Sequence, residues 1–270
     1  MEINLTNIHN IQNIVNDKPK RECLDKQENF NQSTENSFIS NPASRSYALS
    51  KIEIDKLENI QKTMQNVFMN PDISIGEAKI MLDRYKELEK IEDKNEYIKA
   101  VFEEAKRNYG FANSKIELKI QPPEYMDGYT GAADDAFLTV QIKDSIDRDN
   151  IINVIHHEFR HHKQKYWAYR YSPEQYMSAL NKKIEITSNG KCKNAWKDVD
   201  KMINWLDENL GENTREKDFP TQYTTFAKKC LNAMRNYVGA DENFDRYWSN
   251  FSEKDARNAG NAMWLLVKKL

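Results

Sequence analysis

The sequence contains little cysteine: Cys23, Cys192 and Cys230 are the three cysteines among 270 residues. They lie far apart, and none belongs to the Cys-x-x-Cys pairs that are typical of structural zinc sites and redox centres. An odd number of isolated cysteines also offers no disulfide framework, which small secreted domains usually need. The composition therefore argues against a disulfide-rich scaffold and a cysteine-based metal site, and it favours a reducing compartment.

The sequence also lacks long apolar runs and an excess of charge of either sign. No stretch approaches the roughly 20 apolar residues of a membrane-spanning helix, and the N-terminal residues have neither the basic nor the apolar region of a signal peptide. Lys and Arg number 40 against 42 Asp and Glu, so the net charge is −2 and no basic stripe indicates nucleic acid. We expect no membrane span and no nucleic-acid partner, and a protein that is cytoplasmic or exported without a Sec-type signal peptide.

The chain divides by composition into three parts. Residues 1–47 are rich in Asn, Ser, Gln and charged residues and poor in apolar ones, which is typical of a mostly disordered segment. Residues 48–110 are predicted to form a helical lobe, in which Ser74-x-x-Glu77 is a capping box that precedes an amphipathic run. Residues 111–270 contain the remaining elements and form the third part.

Alternation of apolar and polar residues predicts two β-strands, at residues 116–120 and 138–142. The apolar spacing on both sides of them is helical, and Ser172-Pro173 has the pattern of an N-cap followed by proline in the first turn of a helix. We therefore expect an α+β fold that is predominantly helical and contains a small sheet.

Histidine is scarce but concentrated: four of the five histidines lie within the seven residues 156–162. Inside this run, His157-Glu158-Phe159-Arg160-His161 is an HExxH pattern. Residues four apart stand on the same face of a helix, so two imidazoles placed in this way can hold one metal ion. Glu158, next to the first of them, is placed to take a proton from a water molecule.

A helical projection at about 100° per residue separates the histidines into two groups. His157, His161 and Gln164 project from one side, whereas His156 and His162 each lie about 120° from the two candidate ligands. We predict that His157 and His161 bind the metal and that His162 is a hydrogen-bonded core residue. His156 is expected either to support a metal ligand through a hydrogen bond or to have a structural role. The opposite face is apolar and consists of Ile151, Ile155, Phe159 and Tyr166.

Residues 138–161, a strand followed by an HExxH helix, resemble the zincin metallopeptidases of the gluzincin type. The resemblance implies that residues 111–270 form a zincin-like catalytic domain whose small sheet packs on the HExxH helix. It further implies that His157 and His161 bind Zn2+ and that an extended peptide substrate pairs with an edge strand around Phe137–Ile142. Glu158 would be the general base that takes a proton from a metal-activated water during peptide hydrolysis. Arg160 departs from the family, in which this position is usually uncharged.

The third metal ligand is not evident from the sequence. A catalytic zinc usually has three protein ligands, and no histidine follows His162. Glu185 is a carboxylate near the end of a predicted helix. Gln222 stands four residues before Phe226-Ala227, in a segment that resembles the zincin helix whose glutamate supplies the third ligand. Both candidates, Gln222 and Glu185, stay open.

An amide at the ligand position would bring no charge, so metal affinity and water activation would both suffer. The sequence therefore predicts a zinc metallopeptidase that acts on a peptide or protein, and it keeps one alternative: a catalytically weak or inactive zincin-like protein that acts as a protein-binding module. An oxyanion-stabilising tyrosine is also expected, with candidates Tyr169, Tyr171, Tyr176 and Tyr223.

Overall fold

The computed structural model describes residues 51–126, 130–134, 137–214, 217–240 and 242–269. The predicted disordered segment, residues 1–47, lies outside the described residues. From Asp55 onward the chain forms one compact unit, which contains most of the predicted helical lobe together with the predicted zincin-like domain. Over the described residues the fold is mostly helical with one small sheet, as the sequence predicts.

Three helices of the described chain precede the sheet: α1 (Lys51–Phe68), α2 (Ile75–Leu88) and α3 (Lys94–Asn108). The predicted capping box is confirmed at the start of α2, where the Ser74 hydroxyl accepts from the backbone N–H of Glu77 and the Glu77 carboxylate accepts from that of Ser74. Helix α3 is followed by Gly110, whose φ of 81° lies in the left-handed region that favours glycine.

The sheet consists of β1 (Glu117–Gln121), β2 (Gly131–Ala133) and β3 (Thr139–Lys143) in the order β1-β3-β2. Strand β1 runs parallel to β3, and β2 runs antiparallel to it. The two predicted strands are confirmed, with their bounds shifted by one residue. Strand β2 is not predicted by the sequence, because its residues Gly-Ala-Ala have no alternation of apolar and polar side chains.

The expectation that residues around Phe137–Ile142 form an edge strand is wrong. Strand β3 pairs with β1 on one side and with β2 on the other, so its backbone hydrogen-bonding groups are occupied in the middle of the sheet. The edge strand on the β2 side is β2 itself. A substrate strand could therefore be added beside β2 but not beside β3.

The histidine run lies in α4 (Ile151–Tyr171), whose apolar face is buried as predicted, with Ile151, Ile155 and Phe159 fully shielded from solvent. Five helices follow it in the described chain: α5 (Pro173–Thr187), α6 (Val199–Leu210), α7 (Thr224–Arg235), α8 (Phe244–Ser249) and α9 (Phe251–Lys269). The predicted N-cap of α5 is confirmed, because the Ser172 hydroxyl accepts from the backbone N–H of Gln175. None of the described helices is long and apolar enough to cross a membrane.

Helix α9 packs antiparallel against α4, and Gly260 makes the close approach possible. A Cβ atom at Gly260 would lie 2.4 Å from Asn153 Oδ1 and 2.5 Å from the Asn153 carbonyl oxygen. Further along the pair, Arg160 of α4 forms two hydrogen bonds to Asp255 of α9, at 2.7 and 2.9 Å. This packing brings the first turn of α9 to the exposed face of the histidine motif.

Candidate metal centre

The two predicted ligands, His157 and His161, face each other one helical turn apart on α4. Their Nε2 atoms are 3.0 Å apart, and their side chains are 18% and 14% exposed. They therefore sit at the edge of the core and remain accessible to small ligands. A pair of imidazole nitrogens at this separation can share one proton or bind one cation.

The amide of Gln164 determines which nitrogen of His161 carries the proton. The Gln164 Nε2 group donates to the Ser252 carbonyl at 2.9 Å and to Asp255 Oδ2 at 2.8 Å. Its oxygen, Oε1, is then left facing His161 Nδ1 at 3.0 Å and must accept. In the neutral ring, Nδ1 is therefore protonated and Nε2 presents its lone pair toward His157, which is the tautomer a metal ligand needs.

Glu253, in the first turn of α9, brings a carboxylate to the histidine pair. Its Oε2 lies 3.5 Å from His157 Nε2, and its Oε1 lies 3.4 Å from His161 Nε2. The Oε2 atom is buried and has no hydrogen-bond partner. Burial would raise the pKa of Glu253, but the two neighbouring imidazoles hold it well below its usual range, so the group is a carboxylate.

The three side chains fit a single divalent cation. Ligand atoms placed tetrahedrally at about 2.0–2.1 Å from zinc are roughly 3.3 Å from one another. The two histidine Nε2 atoms are 3.0 Å apart, and each lies 3.4–3.5 Å from a different oxygen of Glu253, so an ion held here would be close to both carboxylate oxygens. The buried Glu253 Oε2, which has no hydrogen-bond partner, is a further reason to expect a cation at this place. Two imidazoles and one carboxylate are also a donor set that suits zinc.

Glu158 stands beside this cluster and is itself buried, with 5% exposure. Ligand-type atoms of His157, Glu158 and His161 lie within 4.8 Å of one another. Burial raises the pKa of Glu158 to about 7, against the opposing effect of His157, and the charge of Glu253 raises it further. A cation bound between the histidines would lower this pKa again through its charge.

Strand β2 fixes the position of Glu158 from the sheet side. A Cβ atom at Gly131 would lie 2.8 Å from Glu158 Oε1 and 2.5 Å from Val154 Cγ1. Glycine at this position therefore leaves the space that the Glu158 carboxylate occupies. The edge strand and the candidate general base are thus in direct contact.

Arg160, which the family resemblance leaves unexplained, connects three helices. Besides its two bonds to Asp255, its Nη1 donates to the carbonyls of Asn66 and Val67, both at 2.9 Å. These carbonyls belong to the last turn of α1, where a cation is favoured by the helix dipole. Because Asp255 also accepts from Gln164, the same network orients His161 and places Glu253 two residues away.

The other two histidines of the run are core residues. His162 is fully buried, and its Nε2 lies 3.2 Å from the Thr139 carbonyl of β3, which confirms the predicted hydrogen-bonded core position. His156 is fully buried among the rings of Phe68, Tyr85 and Tyr109. Burial lowers the pKa of His156 to about 3, so the ring is neutral.

Among the described residues, neither sequence candidate for the third ligand makes a hydrogen bond or an ion pair with His157 or His161. Glu185 forms ion pairs with Lys182 at 3.1 Å and Lys193 at 3.9 Å, and it lines a separate groove beside α5. Gln222 is exposed on the short 3-10 helix ahead of α7. Glu253, which is not among the sequence candidates, is the carboxylate that contacts both histidines. Arg160 could have pointed to Glu253 from the sequence. A buried arginine needs a carboxylate partner; that partner is Asp255, and Glu253 stands two residues before it.

A tyrosine that interacts with the cluster is likewise not among the four sequence candidates. Tyr169 is bonded to Asp207 and Thr214, and the Tyr223 hydroxyl donates to the Met69 carbonyl. Tyr247 of α8 instead interacts with Glu253. Burial, the charge of Glu253 and a hydrogen bond to it raise the pKa of Tyr247 well above its ordinary value, so its hydroxyl stays protonated.

A cavity adjoins the cluster on the side of α7. It is lined by His161 and Glu253, by the apolar side chains of Cys230, Ala233 and Met234, and by Lys183 of α5. No known protein family model matches the chain, and no curated protein or solved structure matches it either.

Proposed function

We propose that the protein is a zinc-dependent metallopeptidase that hydrolyses peptide bonds in a peptide or protein substrate. One observation carries this proposal. His157 and His161 of α4 and Glu253 of α9 converge at 3.0–3.5 Å, with the buried carboxylate of Glu158 beside them. Two neutral donors, one charged donor and a carboxylate that is not needed as a ligand are the groups that metal-assisted hydrolysis requires.

The metal and the side chains would have different roles in the reaction. Zinc, when bound, would lower the pKa of a water molecule and polarise the scissile carbonyl. Glu158, which lies against Gly131, would take the proton from the attacking water and pass it to the leaving amine. The Tyr247 hydroxyl stays protonated and donates to Glu253, and it would have to turn away from that carboxylate to donate to the oxygen on which charge develops.

The sheet supplies a surface along which a substrate could lie. Strand β2 is the edge strand on this side, and its Gly131 touches Glu158. An extended peptide that adds to β2 would therefore pass the general base, and main-chain hydrogen bonds would align its scissile bond. Gly131 leaves this part of the strand without a side chain, so a peptide backbone can come close to Glu158.

The alternative of an inactive binding module was based on Gln222 as the third ligand, because its amide would bring no charge to the metal. Glu253 brings a full carboxylate to the histidines, so that reason for weak metal binding no longer applies. An active hydrolase is therefore the function that this arrangement supports best.

The test combines metal analysis with a general peptidase assay. The wild-type protein is expected to hold about one zinc ion per chain and to cleave unfolded polypeptides. Glu158→Gln should retain the metal and lower kcat by about 100-fold or more, because general-base catalysis contributes about 10²–10⁴-fold. Glu103→Gln, at an exposed position on α3, is the matched control and should behave as the wild type does.

The outcomes distinguish a metallopeptidase from an inactive binding module. Full activity in Glu158→Gln would contradict the mechanism, because the variant has no carboxylate to accept the proton. A folded wild-type protein that holds zinc but cleaves nothing would support the binding module instead.

A further inference from the structure

The short helix α8 exposes two large aromatic side chains close to the candidate metal centre. Phe244 is 57% exposed and Trp248 is 50% exposed. Their rings are stacked, with centroids 5.5 Å apart and an interplanar angle of 24°. Single exposed apolar residues are ordinary, but two stacked rings form a continuous apolar patch, which usually marks a binding surface.

Arg257 of α9 holds this pair in place. Its guanidinium carbon lies 3.6 Å from the centroid of the Trp248 ring, and its Nη2 donates to the Trp248 carbonyl. The ring of Trp248 is therefore fixed between Phe244 and Arg257 instead of moving freely in solvent. Aromatic rings that are held in advance lose little conformational entropy when a ligand binds them. We refer to Phe244, Trp248 and Arg257 as the aromatic platform.

The platform is directly connected to the candidate metal centre. Tyr247, the neighbour of Trp248, interacts with Glu253. Arg257 follows Glu253 by about one turn of α9, which is about 6 Å along the helix axis. The residues of the platform therefore stand on both sides of Glu253 in the chain, with Trp248 next to Tyr247 on α8 and Arg257 about one turn further along α9.

We propose that the aromatic platform binds an apolar or aromatic side chain of the polypeptide substrate, at a position away from the scissile bond. The side chain packs on the rings of Phe244 and Trp248, while the N–H groups of Arg257 that remain available bind carbonyl oxygens of the substrate backbone. This inference rests on the proposed function. It identifies the substrate class as an extended polypeptide with an apolar anchor, and it disfavours di- and tripeptides.

The experiment varies the platform and the substrate length together. Cleavage of a library of proteome-derived peptides by the wild-type protein, read by mass spectrometry, identifies a good substrate and the position of its cut. That sequence is then made in a long form and in a form that retains two residues on each side of the cut. Trp248→Ala and Phe244→Ala are compared with Leu265→Ala, a control on α9 whose side chain is 49% exposed.

We expect Trp248→Ala to raise KM for the long peptide about tenfold with kcat unchanged, because the platform contributes binding and not chemistry. The short peptide should be cleaved equally by all four proteins. In the Glu158→Gln background, calorimetry should give a Kd for the long peptide that Trp248→Ala weakens by the same factor. In the library, apolar residues should be enriched at one fixed position relative to the cut, and Trp248→Ala should remove the enrichment.

Equal KM values for the long peptide in Trp248→Ala, Phe244→Ala and Leu265→Ala would overturn the aromatic platform while leaving the proposed function intact. A wild-type protein that cleaves no peptide would overturn the proposed function itself. If the platform variants convert a dimer to a monomer in size-exclusion chromatography and leave KM unchanged, the surface serves a second copy of this chain and the inference is overturned.

Discussion

At the scale of single residues, neighbouring histidines in one helix have opposite environments. His157 is partly exposed beside Glu253, whereas His156 is fully buried among aromatic rings and neither of its ring nitrogens has a hydrogen-bond partner. Adjacent residues of a helix differ by about 100° in direction, which is enough to place one in the core and the other at its edge. Because His156 is buried, its ring should make the free energy of unfolding depend on pH.

His156 should make the protein less stable in acid. Its pKa is lowered from 6.5 to about 3 in the folded state, so below pH 6.5 the unfolded chain takes up a proton that the folded chain does not. This loss begins as the pH falls through 6.5 and is complete near pH 3, with a slope of up to about 1.4 kcal/mol per pH unit. Urea unfolding between pH 4.5 and 7.5 should therefore show a weaker pH dependence for His156→Phe, which keeps an aromatic ring.

The test compares how steeply the free energy of unfolding changes with pH in the two proteins. The absolute free energies are not compared, because the larger ring of phenylalanine can change them by about 1–3 kcal/mol. All other titrating groups are common to the two proteins. Parallel curves for wild type and His156→Phe would show that His156 does not titrate as its burial requires.

At the scale of elements, the packing of α9 on α4 produces the candidate site. Taken locally, Asn250-x-x-Glu253 resembles a capping box, and Asn250 Oδ1 does accept from the Ser252 N–H. In the structure, however, the Glu253 carboxylate is directed at His157 and His161. Contact between the two helices therefore brings a residue that looks like a local cap to the candidate metal centre.

Gly260→Ala should destabilise the protein although alanine is the better helix former by up to about 1 kcal/mol. The added Cβ would lie 2.5 Å from the Asn153 carbonyl oxygen, a backbone atom that no rotamer change can move. Overpacking of this kind costs about 1–3 kcal/mol. Glu253 lies two turns away on α9, so separation of the helices should also lower zinc affinity.

Gly76→Ala is the matched control, because a Cβ atom at Gly76 on α2 has no neighbour within 4 Å. It should leave zinc affinity unchanged and raise the free energy of unfolding slightly. Urea unfolding and zinc titration measure both effects. If Gly260→Ala were as stable as Gly76→Ala, the close contact between α4 and α9 would be absent in solution.

At the scale of the whole molecule, a metal ion would link segments that are distant in sequence. His157 and His161 lie in the middle of the chain and Glu253 near its end, and Arg160 joins the same two helices to the end of α1. Such a site forms only in the folded protein. Metal binding therefore contributes directly to the free energy of unfolding.

Zinc at 100 times its Kd should stabilise the wild-type protein by about 2.7 kcal/mol. For a chain of this size the melting temperature should rise by roughly 5–10 °C, and a chelator should reverse the shift. Glu253→Gln should reduce the shift, because the amide brings no charge to the ion. Glu185→Gln should show the full wild-type shift if Glu253 is the third ligand. Differential scanning calorimetry with and without zinc distinguishes Glu253 from Glu185 as the third ligand. A reduced shift in Glu185→Gln, with a full shift in Glu253→Gln, would support Glu185 instead.

Local patterns predicted most of the described elements. The α2 capping box and strands β1 and β3 depend on spacings within a few residues, and such short spacings can be recognised in the sequence. Strand β2 and helix α8 were missed for a common reason. Gly131–Ala133 and Phe244–Ser249 are too short to show a period, and both exist because larger elements beside them provide pairing partners or packing surfaces.

The sequence by itself determined the arrangement of His157, Glu158 and His161, because helical geometry places residues four apart on one face whatever the rest of the chain does. It also determined that His156 and His162 turn away from that face. The second carboxylate at the site, the tyrosine beside it and the edge strand were decided by tertiary structure alone. Glu253, Tyr247 and Gly131 reach the motif through the packing of α9, α8 and β2, and contacts between residues so distant in sequence follow no local period.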